Sequence, residues 1–414
     1  MYGDLKRHVM EKLQHKEYDF SSKLRQVSVV QRLKEYITWQ RSAGDCETGV
    51  SVPPFGPVSI NLDLTSSCNF ACPHCVDSTI INTGAALELN TVQETLDTLT
   101  ERGLLSVILL GGGEPTLHRD FATIVRYIKS KGLQLGIVTN GSRLTQVAQV
   151  ADLLEKEDWL RISLDAGSEE TFLKSHRPKI AVTLEQILVN AREIKKQNPL
   201  ITLGYSFVIV WEGLSIGDQQ LFQNIDEMPE AVQLAAQHSF DYISFKPCLI
   251  RLQNTHKESL LDTPDEEMEK HIREKIESTL LKARTIAGDH LKVLTSVNLR
   301  ALLHNELSSL KKQPRRCHMQ FFSTVVTPTG IFHCPAFRGV QNAKIAECNG
   351  YAGTSNFNES KKQLTRSLTT FDAREECKVV ACFYHHVNWW VENFQQSGTS
   401  IDAIAEAEDD NFFL

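Results

Sequence analysis

The 414-residue sequence has no long apolar run and no excess of positive charge. Its opening stretch, MYGDLKRHVMEKLQHKEYDF, lacks the apolar core of a signal peptide, and no segment approaches the ~20 apolar residues that a membrane span needs. The formal net charge of −7 and the pI near 6.1 argue against a nucleic-acid binder, which would carry a basic face. These absences predict a cytoplasmic protein that binds neither membranes nor nucleic acids.

The glycine-rich turn GGGEP lacks both common nucleotide-binding signatures. It is not a G-x-G-x-x-G dinucleotide fingerprint, and it lacks the G-K-[ST] of a P-loop. Cysteine, in contrast, is plentiful: the chain has ten, although disulfides are rare in the reducing compartment expected for it. Metal or redox chemistry is therefore the expected use of the cysteines.

Short apolar runs alternate with amphipathic helical patterns between residues 58 and 247. Such alternation predicts parallel strands joined by right-handed helical crossovers. Six units in about 190 residues predict an α/β fold that forms a partial (β/α)6 barrel. The predicted strands are 58–64, 104–110, 133–140, 160–165, 201–210 and 242–247.

Composition divides the chain into five segments around this barrel. The barrel itself is assigned to residues 58–250. The last segment, residues 396–414, is acidic and expected to be solvated or disordered, at least in part. The others are a helical N-terminal segment (1–57), a helical connector with a long charged helix near 264–288 (251–315), a small cysteine-bearing α+β domain (316–395), and the acidic tail (396–414).

The first predicted strand runs into TSSCNFACPHC, which spaces Cys68, Cys72 and Cys75 as C-x3-C-x2-C. Three thiolates on one loop can ligate three irons of a [4Fe–4S] cluster and leave the fourth iron for an external ligand. S-adenosylmethionine (SAM) offers a suitable amine and carboxylate. The alternative is a structural zinc site with His74 as fourth ligand. The loop follows a strand, at the catalytic rim of a parallel barrel, and this favours the cluster.

The second predicted strand ends in GGGEP. Without Cβ atoms, its glycines would let a ligand lie against the backbone, and the adjacent Glu114 could accept a hydrogen bond from a ligand ammonium. A glycine-rich loop after a strand is equally typical of a tight turn, so this motif alone does not decide between the two roles.

Together the cysteine motif and GGGEP resemble the radical SAM superfamily, and the resemblance extends over about residues 58–247, including TNG (139–141) and ISLD (162–165). It implies an enzyme that reductively cleaves SAM to a 5′-deoxyadenosyl radical and abstracts a hydrogen atom from a substrate carbon. A reducing partner such as flavodoxin or ferredoxin is implied as well. The SAM-site residues that the resemblance implies are Phe70, His74, Gly111, Gly112, Gly113, Glu114, Asn140, Ser163, Asp165 and Arg177.

The resemblance also implies roles for these residues. GGGEP would hold the SAM amino group, and His74 occupies the position of an aromatic beside the adenine. Ser163 and Asp165 would lie near the ribose or carboxylate, and Arg177 would pair with the carboxylate. A capping or surface role is the alternative for Ser163 and Arg177.

Four later cysteines are candidates for a second cluster. Cys317 and Cys334 bracket a hairpin-like stretch with TPTG as its turn, and Cys377 and Cys382 form C-x4-C before FYHHVNWWVENF. Such a set could hold a second, fully ligated [4Fe–4S] cluster. The region resembles the twitch domain, a shortened SPASM extension, although twitch domains commonly end in C-x2-C. Cys348 could replace one of the four, and a zinc site or unliganded thiols are the alternatives.

Cys248 follows the sixth strand and is a candidate catalytic residue that faces the cavity, where it would donate a hydrogen atom or ligate a cluster. A small buried residue is the alternative. Cys46 is interpreted as incidental, and Trp389 and Trp390 as packing residues.

The expected reaction is redox modification of a small molecule, such as dehydrogenation, deoxygenation or epimerisation of a sugar, nucleoside or natural-product precursor. The N-terminal segment is shorter and more helical than the winged peptide-binding domain of many peptide maturases, which favours a small substrate. A SPASM-type peptide maturase is the alternative, and methyl transfer or rearrangement would use the same cofactors. A zinc-binding scaffold protein is the alternative of another class.

Overall fold

The computed structural model describes residues 19–43, 52–216, 218–252, 254–260 and 266–410, so Cys46 lies outside the described residues. The strands in chain order are β1 (Ser59–Asp63), β2 (Ser106–Leu110), β3 (Gln134–Thr139), β4 (Trp159–Ser163), β5 (Thr202–Ile209), β6 (Ser215–Ile216), β7 (Gln219–Gln220), β8 (Tyr242–Pro247), β9 (Leu249–Arg251), β10 (Glu258–Leu260), β11 (Lys292–Thr295), β12 (Ser323–Thr327), β13 (Gly330–Phe332) and β14 (Lys344–Ala346).

The helices lie between these strands and at both ends of the described chain. Within the described ranges, no helix has the length and apolar character needed to cross a bilayer. The helices are α1 (Phe20–Leu24), α2 (Val30–Ala43), α3 (Leu89–Thr100), α4 (Phe121–Ser130), α5 (Leu144–Ala148), α6 (Glu169–His176), α7 (Leu184–Gln197), α8 (Met228–Gln237), α9 (Glu266–Ala287), α10 (Val297–Leu303), α11 (Leu307–Leu310), α12 (Met319–Phe322), α13 (Thr354–Thr370), α14 (Ala373–Glu376) and α15 (His385–Gln396).

One ten-stranded sheet organises the chain, in the order β11-β8-β5-β4-β3-β2-β1-β12-β13-β14. Its central six strands, β1 to β5 and β8, are the six predicted from the sequence, and each pairs in parallel with its neighbours. Helices join these strands, as the alternating pattern predicts. The predicted α/β fold with a partial (β/α)6 barrel is confirmed.

Alternate residues of the barrel strands face two different environments. Ile60 and Leu62 of β1 pack in the core between the sheet and the surrounding helices. Ile108, Trp159 and Tyr242 belong to a second core, which also contains residues of α1, α2 and the C-terminal region. The barrel's concave face is therefore covered by both ends of the chain, and the period-2 alternation of the strands separates the two cores.

Two strands extend the parallel part of the sheet beyond the prediction. β11 pairs in parallel with β8 although its segment was expected to be helical. β12 pairs in parallel with β1, so the C-terminal region shares the barrel sheet instead of forming a separate one. Both pairings have the same physical reason: without β12 and β11, the edges of β1 and β8 would have unpaired backbone hydrogen-bonding groups. The hairpin of β12 and β13, with its turn at TPTG, agrees with the prediction.

The acidic tail is packed onto the N-terminal segment up to residue 410, contrary to the expectation of a solvated or disordered tail. Asp410 lies 3.1 Å from the ammonium of Lys23, a side chain that is 1% exposed. The Ser28 hydroxyl donates to Asp409, and Ala407 bridges to Gln26. A buried ammonium needs a compensating charge, and the carboxylates of the tail supply it.

Candidate active site

A cavity of about 520 Å³ opens at the carboxyl ends of the barrel strands. The loop after β1, the turn after β2 and the ends of β4, β5 and β8 contribute its walls, and Phe20, Phe383 and Tyr384 bound it from the two ends of the chain. Tyr384 contacts Phe20 edge-on, with ring centroids 5.0 Å apart, and Phe383 contacts it at a tilt, with centroids 5.8 Å apart. The predicted site residues that line this cavity are Cys68, Phe70, Cys72, His74, Cys75, Gly111, Gly112, Gly113, Glu114, Asn140, Ser163 and Asp165.

The cysteine loop places three free thiols on one wall of this cavity. The Cys68 N–H donates to the Asn82 side chain at 2.8 Å, and the Cys75 N–H donates to the Cys72 carbonyl at 3.1 Å. Burial raises the pKa of all three thiols, that of Cys75 to about 12. These thiols are therefore protonated when no metal is bound, and metal binding must release their protons.

The glycine turn packs directly on the cysteine loop. A Cβ on Gly113 would lie 2.4 Å from the Ser67 carbonyl oxygen and 2.6 Å from that of Thr65. The Glu114 N–H donates to the same Ser67 oxygen at 2.8 Å. Gly113 therefore permits two chain segments to touch, whereas a Cβ on Gly112 would lie no closer than 3.6 Å to its nearest neighbour, the Ile80 side chain.

Glu114 is buried, and its carboxylate is occupied by protein donors. Oε1 accepts from the Thr116 N–H (3.1 Å), the Thr116 hydroxyl (2.6 Å) and the Thr139 hydroxyl (2.6 Å), and Oε2 accepts from the Asn140 N–H (2.7 Å). Burial raises its pKa, and these hydrogen bonds oppose that shift. In this structure Glu114 ties the turn after β2 to the end of β3, a role that the sequence did not indicate.

A chain of polar contacts runs from the cysteine loop to the end of β4. His176 Nδ1 lies 3.2 Å from the Cys72 sulfur, and its Nε2 lies 3.5 Å from Asp165 Oδ2. The same Oδ2 lies 3.0 Å from His74 Nε2, while Oδ1 accepts from the Val208 N–H at 2.7 Å. Burial opposes ionisation of Asp165, but the His74 hydrogen bond and the two imidazoles hold its pKa below the usual value.

His176 was not singled out from the sequence. Burial lowers its pKa to about 4, so the ring is neutral at pH 7. No motif spacing identifies this residue, because α6 brings it to the cysteine loop only in the folded chain.

Two predicted site residues lie away from the cavity. Arg177 directly follows α6 with a left-handed backbone conformation (φ 45°), and its guanidinium donates to the side-chain oxygen of Gln219 on β7. Cys248 is fully buried in the core outside the barrel, where burial raises its pKa to about 12. The expectation that Cys248 faces the cavity is corrected: Pro247 and Leu249 line the cavity, whereas Cys248 between them is buried, as in the alternative of a small buried residue.

A buried charge network joins the cysteine loop to the C-terminal region. Arg338 Nη1 lies 2.8 Å from Asp77 Oδ2, and its Nε lies 2.8 Å from Asp63 Oδ2. Arg251 contacts the other Asp77 oxygen at 2.9 Å and Glu258 at 3.5 Å. Burial raises the pKa of Asp63 and of Glu258 to about 7 despite these arginines. No sequence motif indicates this network, because its members come from four separate segments.

Cys317, Cys334, Cys377 and Cys382 line one small enclosed cavity in the C-terminal region. Burial, followed by the neighbouring thiols of this group, raises the pKa of Cys334 and Cys377. His333 also lines the cavity; it is 2% exposed, and neither ring nitrogen has a hydrogen-bond partner. Cys348 does not line it and packs instead beside the barrel core. Four thiols and an unpartnered imidazole around one cavity fit a cluster.

The nine cysteines within the described residues are all free. Over the same residues, no group of three or more His, Cys, Asp or Glu side chains is placed so that it could hold a metal ion.

Residues 62–219 match the family model described as the radical SAM superfamily, which confirms the prediction made from the motifs. A 115-residue stretch is 38% identical to the "S-adenosylmethionine-dependent nucleotide dehydratase" of Selenomonas ruminantium and covers 28% of this chain and 41% of that protein. A 116-residue stretch is 34% identical to the "Mycofactocin maturase MftC" of Mycobacterium tuberculosis and covers 28% of this chain and 29% of that one. The similarity thus spans less than half of each relative.

The fold is similar to that of SuiB from Streptococcus suis. The crystal structure of SuiB bound to S-adenosylmethionine has a TM-score of 0.57 at 14% identity and covers 87% of this chain and 78% of that one. The structure of SuiB bound to precursor peptide SuiA has a TM-score of 0.58 at 14% identity, with 87% and 76% covered. At this identity the similarity describes the fold alone.

Proposed function

This chain carries a radical SAM domain at residues 62–219, and from that premise we propose that it binds a [4Fe–4S] cluster and SAM and abstracts a hydrogen atom from a substrate carbon. When bound, the cluster and SAM supply a 5′-deoxyadenosyl radical. The observation that carries the proposal is that Cys68, Cys72 and Cys75 share one cavity with the GGGEP turn and the ends of β4 and β8. A substrate in this cavity would lie beside the residues expected to hold SAM.

The chain's own residues would orient the reactants and exclude water. Cys68, Cys72 and Cys75 would ligate three irons, and the backbone of GGGEP would face the methionine end of SAM. Glu114 holds that turn against the end of β3, and Asp165 holds His74 against the end of β4. The rings of Phe20, Phe383 and Tyr384 line the cavity and would help to exclude water from a bound substrate.

We further propose a second [4Fe–4S] cluster ligated by Cys317, Cys334, Cys377 and Cys382. Their common cavity and the unpartnered His333 nitrogens support it. A neutral imidazole next to Cys334 could donate a hydrogen bond to a cluster sulfur and thereby adjust its reduction potential. A second cluster fits a redox reaction, in which it would accept or supply an electron.

The proposed reaction is redox modification of a small molecule such as a sugar, nucleoside or natural-product precursor. Similarity to a nucleotide dehydratase supports a small substrate, as do the aromatic rings that line the cavity. A SPASM-type peptide maturase is the second candidate, supported by the similarity to the mycofactocin maturase. We propose that the protein works in the cytoplasm with a reducing partner such as flavodoxin or ferredoxin.

Iron counting tests this proposal. The protein is reconstituted anaerobically with iron and sulfide, and iron is counted in the wild type and in the Cys68/Cys72/Cys75→Ala triple variant. About eight irons falling to about four would support both clusters, and about four falling to none would leave the SAM cluster alone. A colourless protein that holds zinc, survives air and makes no 5′-deoxyadenosine from SAM would instead establish the scaffold alternative.

A further inference from the structure

Two cationic side chains face the cavity from the concave side of the barrel. Arg161 of β4 is aligned with Gly204 of β5, and Lys246 of β8 is aligned with Val208 of β5. Gly204 and Val208 are four residues apart on one strand, so the two aligned positions lie on the same face of the sheet. Both cations line the cavity that contains the cysteine loop.

Neither cation has an ion-pair partner within the part of the chain that the structure describes. The Arg161 guanidinium stacks on the Trp159 ring, 5.0 Å from its centroid, and its buried Nε has no hydrogen-bond acceptor. Burial lowers the pKa of Lys246 to about 7, with Arg161 adding to the shift and Asp165 opposing it. The lowered pKa of Lys246 indicates that the surrounding groups do not fully balance its positive charge.

The acids of the cavity are already engaged by other groups. Asp165 accepts from His74 and Val208, Asp77 pairs with Arg251 and Arg338, and Glu258 lies near Arg251. The acids of the cavity therefore have other partners, and an anionic ligand would stabilise both cations, since an uncompensated charge in a partly buried site is costly.

Asn298 supplies an independent indication of a ligand. It follows β11, lines the cavity and is 7% exposed, yet its Oδ1 has no hydrogen-bond partner. Buried amide oxygens are normally satisfied, so an unpartnered one at a cavity wall marks a place for a ligand donor. Asn298 lies at the β8 and β11 edge of the barrel, whereas the cysteine loop and GGGEP follow β1 and β2.

We propose that Arg161, Lys246 and Asn298 form the substrate subsite of the radical SAM cavity and bind a phosphoryl group of the substrate. This proposal rests on the proposed function, because it names the substrate class of the same cavity. Two cations that line one cavity match a doubly charged phosphate better than a single carboxylate, and a guanidinium fork binds phosphate oxygens in pairs. The Asn298 oxygen would accept a hydrogen bond from a hydroxyl or amino group beside the phosphate.

Anion titration tests the subsite. Inorganic pyrophosphate and citrate are titrated by calorimetry into the reconstituted, SAM-loaded protein. The variants are Lys246→Met, Lys246→Arg and Arg161→Met, with Lys156→Met, an exposed surface lysine, as the matched control. Pyrophosphate should bind the wild type, the control and Lys246→Arg, and should bind Lys246→Met and Arg161→Met about tenfold more weakly, the loss of one charged hydrogen bond.

SAM affinity and apparent Tm are measured on the same samples. Unchanged SAM affinity in Lys246→Met assigns the cation to the substrate subsite. A tenfold fall in SAM affinity would show that the cations hold the SAM carboxylate and would overturn the proposal. Equal pyrophosphate binding by all proteins, or a preference for citrate, would overturn it too. Failure of the proposed function appears separately, as absence of iron and of 5′-deoxyadenosine.

Discussion

His74 Nε2 and Asp165 Oδ2 lie 3.0 Å apart, and this contact ties the cysteine loop to the chain that follows β4. Because Oδ2 also lies 3.5 Å from His176, whose other nitrogen contacts the Cys72 sulfur, one carboxylate orients two imidazoles around the proposed cluster ligands. Partners of this kind position metal ligands and control how well a site retains its metal.

Asp165→Asn should leave the iron count at saturation unchanged but weaken retention of the cluster. The amide can still accept from the Val208 N–H, but it lacks the charge that both imidazoles face. Iron loss to a chelator, followed anaerobically by absorbance, should be about tenfold faster than in the wild type. Asp152→Asn, whose carboxylate only accepts from Gln197 at the surface, is the control. Equal rates in all three proteins would show that Asp165 does not support the loop.

Glu114→Ala should destabilise the protein as well as weaken SAM binding. The variant removes a buried carboxylate with four donors, and it leaves Thr139 and Asn140 without their acceptor, at a cost of about 3 kcal/mol. The apparent Tm should therefore fall clearly, whereas exposed Glu359→Ala should leave it unchanged. A wild-type Tm together with lost SAM affinity would favour a direct contact between Glu114 and the SAM ammonium.

The sequence predicted the six central strands because their apolar runs have strand length and end in turn residues. It also predicted the residues of the cysteine loop and glycine turn as one site, since both follow parallel strands. Contacts between distant segments could not be predicted. Neither the pairing of β12 with β1 nor the Asp77 and Arg338 ion pair has a local signature, because both depend on where the C-terminal region docks.

Cys377→Ser should lose the second cluster, and Cys348→Ser should keep it. Cys377 lines the enclosed cavity with the other three proposed ligands, whereas Cys348 packs beside the barrel core. Iron counts after reconstitution should be about four for Cys377→Ser and about eight for Cys348→Ser and the wild type. The reverse result would place Cys348 among the ligands and remove Cys377.

Cys248→Ala should retain both the wild-type iron count and the wild-type rate of 5′-deoxyadenosine formation. The thiol is buried in the core outside the barrel and does not line the cavity, so a small loss of packing is the expected effect. Chromatography of SAM cleavage products checks the rate, with Cys72→Ala as the inactive reference. If Cys248→Ala had the wild-type Tm but did not cleave SAM, Cys248 would take part in the reaction after all.

The pH dependence of stability should depend on Glu258. Its folded pKa, raised to about 7 by burial and the nearby Asp77, exceeds the usual unfolded value of about 4.3. The folded chain therefore binds more protons between these values, so its stability is greatest at the acid end and falls as the pH rises towards 7.

Glu258→Gln removes this proton and should flatten the fall in apparent Tm between about pH 5.5 and about pH 8. Part of the fall in apparent Tm with pH should remain in this variant, because burial also raises the pKa of Asp63 to about 7. Exposed Glu359→Gln should reproduce the wild-type slope. Differential scanning fluorimetry across this range measures the effect. The apparent Tm of Glu258→Gln and of the wild type could instead fall equally across this range. The Glu258 carboxyl would then already be ionised at the acid end, because the arginines of the buried network lower its pKa more than burial raises it.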